Sequence, residues 1–161
     1  MPHALFLASL LLIAQADLPE TLPLLGDGPS VAEAAQTFLW THPYEFTYRP
    51  ARWELERNDG NGAVRLRWGE TTASLTISLD DAPVPQGAPT YKTLVGGVPA
   101  VETLGWEDNG DGRPQTLYDM VRVKRGSRTI LLVLAVPEKH EGVADAATLE
   151  MRKIQQAWKW H

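Results

Sequence analysis

The feature of this sequence that most constrains its fold is a two-residue alternation of apolar and polar side chains, which recurs from residue 53 to residue 136. It is clearest in segments 53–56 and 64–68, which flank an Asp-Gly-Asn-Gly run. Because successive side chains of a strand point to opposite faces of a sheet, the pattern predicts an antiparallel hairpin whose turn is centred on Gly60-Asn61. In this register the facing pairs are Trp53 with Trp68, Leu55 with Leu66, Glu54 with Arg67 and Glu56 with Arg65.

The alternation continues after this hairpin. Residues 73–79 place Ala, Leu and Ile between hydroxyl-bearing side chains, which predicts a third strand. The next eleven residues, 80–90, contain three prolines and no periodic pattern, and we expect them to form a loop. Residues 91–106 return to extended structure, with a bulge or bend at Gly96-Gly97-Val98-Pro99.

A second hairpin is predicted near the end of the alternating region. Residues 117–124 and 128–136 are its strands, and Gly126-Ser127 between them is typical of a type II′ turn. Residues 130–136 are apolar at consecutive positions. We therefore expect the last strand to be central in the sheet and covered on both faces.

Two helices are predicted at the ends of this region. Ser30 and Glu33 have the spacing of a capping box, and apolar residues follow at helical spacing, so a first helix is expected over about 31–41, ending before Pro43. A second helix is expected over about 145–159, with an apolar stripe formed by Val143, Ala147, Met151, Ile154 and Trp158. The sequence thus predicts one α+β domain, residues 30–161, in which an antiparallel sheet of about six strands is packed by an N-terminal and a C-terminal helix.

The N-terminal residues have the pattern of a secretory signal. Residues 4–14 are uncharged and largely apolar, too short a run for a membrane span, and Ala14-Gln15-Ala16 is a small-x-small cleavage motif. The first three residues contain no Lys or Arg, so an uncleaved apolar helix that docks on the domain or anchors it is the alternative. We expect residues 1–16 to be a signal peptide, residues 17–29 to be a Pro-rich linker, and the mature protein to be periplasmic or secreted without a membrane span.

Composition excludes several classes of function. The chain has 15 Lys and Arg against 20 Asp and Glu, a formal charge of −5, which argues against nucleic-acid binding. It has no Cys, so disulfides, thiol nucleophiles and thiolate metal sites are excluded. The histidines after the signal, His42, His140 and His161, accompany no nucleophile elbow and no H-E-x-x-H motif. We therefore expect the protein not to be an enzyme.

One loop has some of the chemistry of a calcium site. Glu107, Asn109 and Asp111 occupy alternate positions before Gly112, and hard cations prefer such clustered oxygens. Tyr118 stands at the twelfth position, where an EF-hand has a bidentate Glu. A polar hairpin loop without a cofactor is the favoured interpretation, and a calcium- or metal-dependent hydrolytic enzyme that uses residues 107–112 is the alternative.

Cationic side chains cluster at the turn of the second hairpin and suggest a partner-binding tip, formed by Arg122, Lys124, Arg125 and Arg128. Of the six tryptophans, Trp53, Trp68, Trp106 and Trp158 fall on apolar faces and are expected in the core. Trp40 and Trp160 remain as candidates for partner contact, and Trp160 is the one we assign to the binding surface.

Several motifs together resemble the Mog1/PsbP-like superfamily, which includes photosystem II oxygen-evolving-complex proteins and their bacterial relatives. The motifs span Tyr44 to Trp160 and are Phe46-x-Tyr48-x-Pro50-x-x-Trp53, Ile77-Ser78-Leu79, Val95-Gly96-Gly97-Val98-Pro99-Ala100 and Ile154-x-x-Ala157-Trp158-x-Trp160. The family has a small polar residue where this chain has Ala157. The resemblance implies an α/β/α sandwich and a non-enzymatic role as a binding or assembly partner, and it transfers no functional residue. We expect an exported protein that binds a protein partner, as an accessory or assembly factor of an envelope complex.

Overall fold

The structure, a computed structural model, describes residues 31–79, 87–108 and 114–161, all of which lie within the unit Val31–His161. The predicted signal peptide (1–16) and linker (17–29) lie outside the described residues, as do most of the 80–90 loop and residues 109–113 of the polar loop.

In chain order, the described residues form the helix α1 (Val31–Ala34), the strands β1 (Thr37–Thr41), β2 (Tyr44–Tyr48), β3 (Trp53–Asn58), β4 (Val64–Trp68), β5 (Ser74–Ser78), β6 (Thr90–Val95), β7 (Val98–Asp108), β8 (Pro114–Arg125) and β9 (Arg128–Pro137), a 3₁₀ helix (Glu138–Val143), the helix α2 (Ala144–Ala157) and the strand β10 (Lys159–Trp160). Within the described residues these strands make two antiparallel sheets. The large sheet has the order β3-β4-β5-β9-β8-β7-β6, and the small sheet has the order β1-β2-β10.

The first predicted hairpin is present as β3 and β4, with one error in its register. Trp53 pairs with Trp68, and the two pairs that follow it, Glu54 with Arg67 and Leu55 with Leu66, are also as predicted. A bulge after Leu55 then places Arg57, not Glu56, opposite Arg65. Glu56 still binds both arginines of β4, with Oε2 3.1 Å from Arg65 Nε and Oε1 3.0 Å from Arg67 Nε. Leu55 is 42% exposed, because β3 is the edge of the large sheet and the core ends before this position.

The second predicted hairpin, β8 and β9, is confirmed, and Gly126 opens its turn with φ of +63°, a value that suits glycine. β9 occupies the middle of the large sheet, as expected. Leu131 is buried on its outer face, whereas Val133 and Ala135 are only half-buried there. The prediction that both faces are covered is therefore correct in part.

The segment 91–106, predicted as one bent strand, is instead the two antiparallel strands β6 and β7. Gly96 and Gly97 reverse the chain between them with φ of +54° and +78°. Two consecutive left-handed residues form a tight turn, where a bulge would need only one. The sequence prediction was wrong because a Gly-Gly pair fits both structures.

The prediction of an N-terminal helix over 31–41 is wrong. The helix α1 has four residues, and the chain then forms the β1–β2 hairpin, whose turn contains a cis His42-Pro43 bond. Residues 37–41 are Thr-Phe-Leu-Trp-Thr, all β-branched or aromatic except Leu39, which favours a strand. Leu39 and Thr41 are buried while Phe38 and Trp40 are exposed, so the real period is two. The four-residue α1 does not form an N-terminal helical layer, so the described residues do not make the predicted α/β/α sandwich, and their large sheet has seven strands where about six were predicted.

The C-terminal helix is confirmed as α2, and it packs on the strands β2, β6 and β9. Ala147, Met151 and Ile154 of the predicted stripe are buried. The helix ends at Ala157, and the buried Trp158 follows it in extended backbone, with its ring stacked 4.0 Å from that of Tyr44. Glu150 of α2 is also buried. Its carboxylate is 2.6 Å from Lys153 Nζ and 3.5 Å from an Arg49 guanidinium nitrogen. No helix in the described part of the chain is long and apolar enough to cross a membrane.

Candidate functional site

A groove of about 350 Å³ lies where the β8–β9 turn, the β1–β2 turn and β10 meet. We call it the terminal groove, and the residues that line it are His42, Pro43, Arg125, Arg128, Ile130, Trp160 and His161. It brings together three of the five side chains predicted to bind a partner: Arg125, Arg128 and Trp160. Trp40, the other exposed tryptophan proposed from the sequence, has its ring 6.4 Å from the His161 ring.

Two arginines face each other in this groove, since Arg125 and Arg128 are a register pair across the hairpin turn. The guanidinium of Arg125 lies 5.2 Å from the centre of the Trp160 ring and donates to the main-chain oxygen of His161 at 3.4 Å. The Arg128 Nη1 is 3.2 Å from His42 Nε2. A guanidinium has only donors, so the hydrogen bond between these two atoms has Arg128 as its donor.

Long-range main-chain contacts hold the other wall of the groove in place. Trp160 Nε1 donates to the Val95 carbonyl at 3.1 Å, and the His161 amide donates to the Pro43 carbonyl at 2.9 Å. The close approach of the β6–β7 turn requires Gly96, because a Cβ there would lie 2.9 Å from Trp160 Nε1. The aromatic wall is thus fixed by contacts between residues that are far apart in sequence.

The remaining two predicted residues, Arg122 and Lys124, lie on the opposite face of the large sheet. Side chains alternate along β8, and the intervening Val121 and Val123 are fully buried on the face that packs under α2. Arg122 and Lys124 line a shallow cavity of about 590 Å³ on the other side. We call it the outer-face patch, and its residues are Lys92, Thr93, Leu94, Pro99, Ala100, Val101, Arg122 and Lys124. The predicted single basic tip is therefore two separate surfaces.

A buried pair of carboxyl groups was missed by the sequence analysis. Glu102 on β7 and Asp119 on β8 are 3% and 1% exposed, on the face of the sheet that packs under α2. Arg152 of α2 donates to both oxygens of Glu102, at 2.6 and 3.3 Å. Glu102 and Asp119 lie on the same face of the sheet as the buried Val121. Following the two-residue alternation along β7 and β8 could therefore have predicted that both are buried.

Burial is the main cause that raises the pKa of the Asp119 carboxyl from 3.8 to about 7. The charge of Glu102 and a hydrogen bond to it raise this pKa as well, while the nearby Arg152 lowers it. Neither Asp119 oxygen meets a hydrogen-bond donor among the described residues. The Asp119 carboxyl therefore keeps its proton to a higher pH than an exposed aspartate does.

Next to this pair, a cavity of about 970 Å³ surrounds the end of β7 that β6 does not cover. We call it the edge groove. The helix α2 contributes Asp145, Thr148 and Arg152 to it, and β7 contributes Leu104–Glu107. Trp106, expected in the core, is 47% exposed, because no strand among the described residues pairs with β7 on its outer side at this position. Neither Glu102 nor Asp119 lines the edge groove.

Known structures share this arrangement of elements, although no family model and no curated protein matches the chain. The solution structure of cyanobacterial PsbP (CyanoP) from Synechocystis sp. PCC 6803 aligns over 85% of this chain and 99% of its own, with a TM-score of 0.55 and 14% sequence identity. This chain has a PsbP-like fold. A crystal structure of a protein from Bacteroides thetaiotaomicron has a TM-score of 0.52 and 12% identity over 78% of this chain. The alignment covers 48% of that longer protein, so the chain spans about half its length.

In this PsbP-like fold the proposed calcium loop falls mostly outside the described residues. Asn109 and Asp111 are not described, and Glu107 accepts a hydrogen bond from the Tyr118 hydroxyl at 2.9 Å. In residues 31–79, 87–108 and 114–161 there is no group of three or more His, Cys, Asp or Glu side chains that could hold a metal ion. A metal site at Glu107, Asn109 and Asp111 stays a prediction.

Proposed function

We propose that this protein is exported and non-catalytic, and that it acts by surface binding as an accessory or assembly factor of an envelope complex. The PsbP-like fold supports this role through the resemblance of the sequence to a superfamily of binding and assembly partners. The predicted signal peptide supports export. Partner-binding residues in this proposal are Arg122, Lys124, Arg125, Arg128 and Trp160, and no bound cofactor is required.

The observation that carries the proposal is the chemistry of the outer-face patch. The chain has a net charge of −5, yet none of the described residues that line this patch is acidic. Leu94 and Val101 are 58% and 44% exposed there, between Lys92, Arg122 and Lys124. Exposed aliphatic side chains beside lysines are typical of a protein-binding surface. The partner that fits this surface is a protein with an acidic rim around an apolar centre.

Site-specific photo-cross-linking in the cell tests this proposal. A photoreactive residue in place of Lys124 is expected to trap one discrete partner from the envelope fraction, whereas the same residue in place of Arg57, exposed on β3 at the other edge of the large sheet, traps none. Charge reversal at Lys92 and Lys124 is expected to abolish the product. Equal cross-linking from both positions contradicts the proposal. N-terminal sequencing of the exported protein tests cleavage after Ala16.

The alternative is a calcium- or metal-dependent hydrolytic enzyme built on the 107–112 loop. The buried acid pair gives this alternative little support, because Glu102 and Asp119 are covered and Arg152 occupies the Glu102 carboxylate. Calcium titration followed by tryptophan fluorescence distinguishes the two, since Trp106 adjoins Glu107 and is exposed. A saturable change in the wild type that Glu107→Gln abolishes favours the metal-dependent enzyme, and no change at millimolar calcium favours the binding protein.

A further inference from the structure

The strand β7 has a stretch of backbone that is paired on one side only. The strand β8 pairs with β7 over residues 100–108, whereas β6 pairs with it only over residues 98–103. No strand in the described part of the chain lies beside the other side of residues 104–108, which we call the open edge. An unpaired strand edge presents a row of N–H and C=O groups that can pair with another extended chain.

The register identifies which main-chain groups of the open edge are unpaired. In an antiparallel ladder, facing residues alternate between pairs that exchange two hydrogen bonds and pairs that exchange none. The two-residue turn Gly96-Gly97 is closed by the bonded pair of Val95 with Val98, so the even-numbered residues of β7 direct their main-chain groups away from β8. Leu104 and Trp106 therefore direct an N–H and a C=O each outward. None of the described residues bonds to these four groups.

The two edges of the large sheet differ in how they are protected. Three of the six residues of β3, at the opposite edge, are charged, and a bulge interrupts that strand. Such features discourage pairing with another chain. The open edge instead begins with Leu104-Gly105-Trp106, and a Cβ at Gly105 would meet no atom within 4 Å. Space for an added strand is therefore present where the backbone groups are unpaired.

The edge groove follows the open edge and has walls on both faces of the sheet. Trp106 and Thr148 line it on the α2 side, whereas Tyr118 and Met120 line it on the outer face. Side chains of an added strand would contact these two walls in turn, because they alternate between the faces. The five residues of the open edge span about 17 Å, which suits an added segment of about five or six residues.

The charges of the edge groove favour a basic segment. Glu107 accepts a hydrogen bond from Tyr118, and Asp145 is exposed in the first turn of α2. Neither carboxylate forms an ion pair with a Lys or Arg of the described residues. Arg152 also lines the groove, but both oxygens of Glu102 bind it. A second copy of this chain fits less well, because a symmetric pair would bring the acidic groups of both copies to one interface.

We propose that the open edge binds an extended segment of a partner protein by strand addition, and that this segment has β-branched side chains between Lys or Arg residues. The main-chain groups of Leu104 and Trp106 form the hydrogen bonds, as β7 already does with β6 before this point. The indole of Trp106 packs on one face of the added strand, and its cationic side chains reach Glu107 and Asp145. The site goes beyond the proposed function, because it shares no residue with the outer-face patch.

Amide hydrogen exchange of the full chain, measured by NMR, tests whether the edge is available. The amides of Leu104 and Trp106 are expected to exchange rapidly, whereas those of Thr103 and Gly105, which donate to β8, are expected to be protected. Protection of all four amides in the free monomer means that the edge is already covered, which overturns the proposal. Protection that appears together with a dimer in sedimentation identifies a second copy as the occupant and also overturns it.

A titration with the blocked peptide acetyl-Lys-Val-Thr-Val-Thr-Lys-amide tests the occupant. We expect saturable shifts, with slower exchange of the Leu104 and Trp106 amides. Replacing both Lys by Glu is expected to weaken binding by at least about threefold. No saturable shift with the Lys peptide at concentrations up to tens of millimolar, or equal affinity of the two peptides, contradicts the proposal.

N-methylation of the peptide distinguishes strand addition from attraction by charge or apolar contact. Only alternate N–H groups of an added strand point toward β7. One of two peptides, methylated either at both Val or at both Thr, is therefore expected to lose binding while the other keeps it. If both peptides bind, or if neither binds, the segment is not held as an added strand.

Variants locate the binding at the edge groove. Trp106→Ala is expected to weaken peptide binding by about two- to fivefold, the size of a cross-strand aromatic contact. Trp40→Ala is the matched control, since Trp40 is 52% exposed and does not line the groove. Equal weakening by the two substitutions excludes this site. The cross-linking at Lys124 reports the outer-face patch independently, so either proposal can fail alone.

Discussion

Asp119 is a buried acid whose ionisation is expected to destabilise the folded protein as pH rises. Its pKa is raised from 3.8 to about 7 by burial first and by Glu102 second. Because the pKa of the folded state lies above that of the unfolded state, the folded protein binds more protons between these two pH values. The free energy of unfolding therefore falls as pH rises through this window, and the loss is complete above pH 7.

The size of the effect follows from the width of the window. Each pH unit between the two pKa values corresponds to about 1.4 kcal/mol, so the full window of about 3 pH units gives roughly 4 kcal/mol. Glu102 and Arg152 are close enough to respond when Asp119 ionises, which reduces the difference. We expect Asp119→Asn, which cannot ionise, to be more stable than the wild type by about 2–4 kcal/mol near pH 8. Near pH 4 the two proteins should agree within about 1 kcal/mol, since an amide replaces a protonated carboxyl of nearly equal shape.

Urea denaturation followed by tryptophan fluorescence at several pH values measures this difference. The difference between variant and wild type, not either curve alone, isolates Asp119 from the other acids of the chain. Asp145→Asn is the matched control: Asp145 is exposed in the first turn of α2, and its loss should cost no more than about 0.5 kcal/mol by weakening the helix-dipole interaction. If the curves for Asp119→Asn and wild type stay parallel from acid to alkaline pH, Asp119 ionises without penalty and the reasoning is wrong.

Two further predictions concern packing. Gly96→Ala should destabilise the protein by about 2–4 kcal/mol, because the new Cβ would lie 2.6 Å from the Trp158 carbonyl oxygen and the φ of Gly96 is +54°. Gly97→Ala is the control: Gly97 has φ of +78° and open space around it, so this variant should lose only about 1–2 kcal/mol from backbone strain. Equal losses of stability for the two variants in urea denaturation would show that the close approach at Gly96 is unimportant. Tyr44→Phe should lower the free energy of unfolding by about 1–2 kcal/mol, because the buried Tyr44 hydroxyl donates to the Gly62 carbonyl at 2.8 Å and its loss leaves that oxygen without this hydrogen bond. A thermal unfolding midpoint equal to that of the wild type would contradict this prediction.

The sequence predicted correctly those parts of the fold that depend on residues close together in the chain. The pairing of Trp53 with Trp68, and the β8–β9 hairpin, follow from alternation and turn residues within about 20 neighbouring positions. Residues 31–41 were misassigned because a capping-box spacing at Ser30 and Glu33 is followed by apolar residues at helical spacing. The pairing of β1 with β2 and the contact with the core overrode this helix signal. The Gly-Gly pair before Val98 is a hairpin signal that was interpreted as a bulge, whereas the two-residue strand β10 has no local pattern strong enough to be predicted.

The candidate sites divide in the same way. That Arg125 and Arg128 face each other follows from a two-residue turn at Gly126-Ser127, and the register shows this pair. That Trp160 and His42 join them could not, because β10 reaches its place only by pairing with β2 after the helix α2 has crossed the sheet. A site built from three segments at least 30 residues apart depends on tertiary packing, which the sequence pattern does not contain.

The alternation that builds the large sheet also separates its two binding surfaces. In β8, Arg122 and Lys124 point outward, while Arg125 and the core residues Val121 and Val123 point toward the α2 side. A rigid partner that covers the outer-face patch cannot also enter the terminal groove unless it wraps around the β8–β9 turn. The two surfaces should therefore respond to mutation independently: charge reversal at Lys124 should remove the cross-linked partner, whereas charge reversal at Arg128 should leave it in place. If both substitutions abolish the cross-link, the partner itself must pass around Gly126 and contact Arg128.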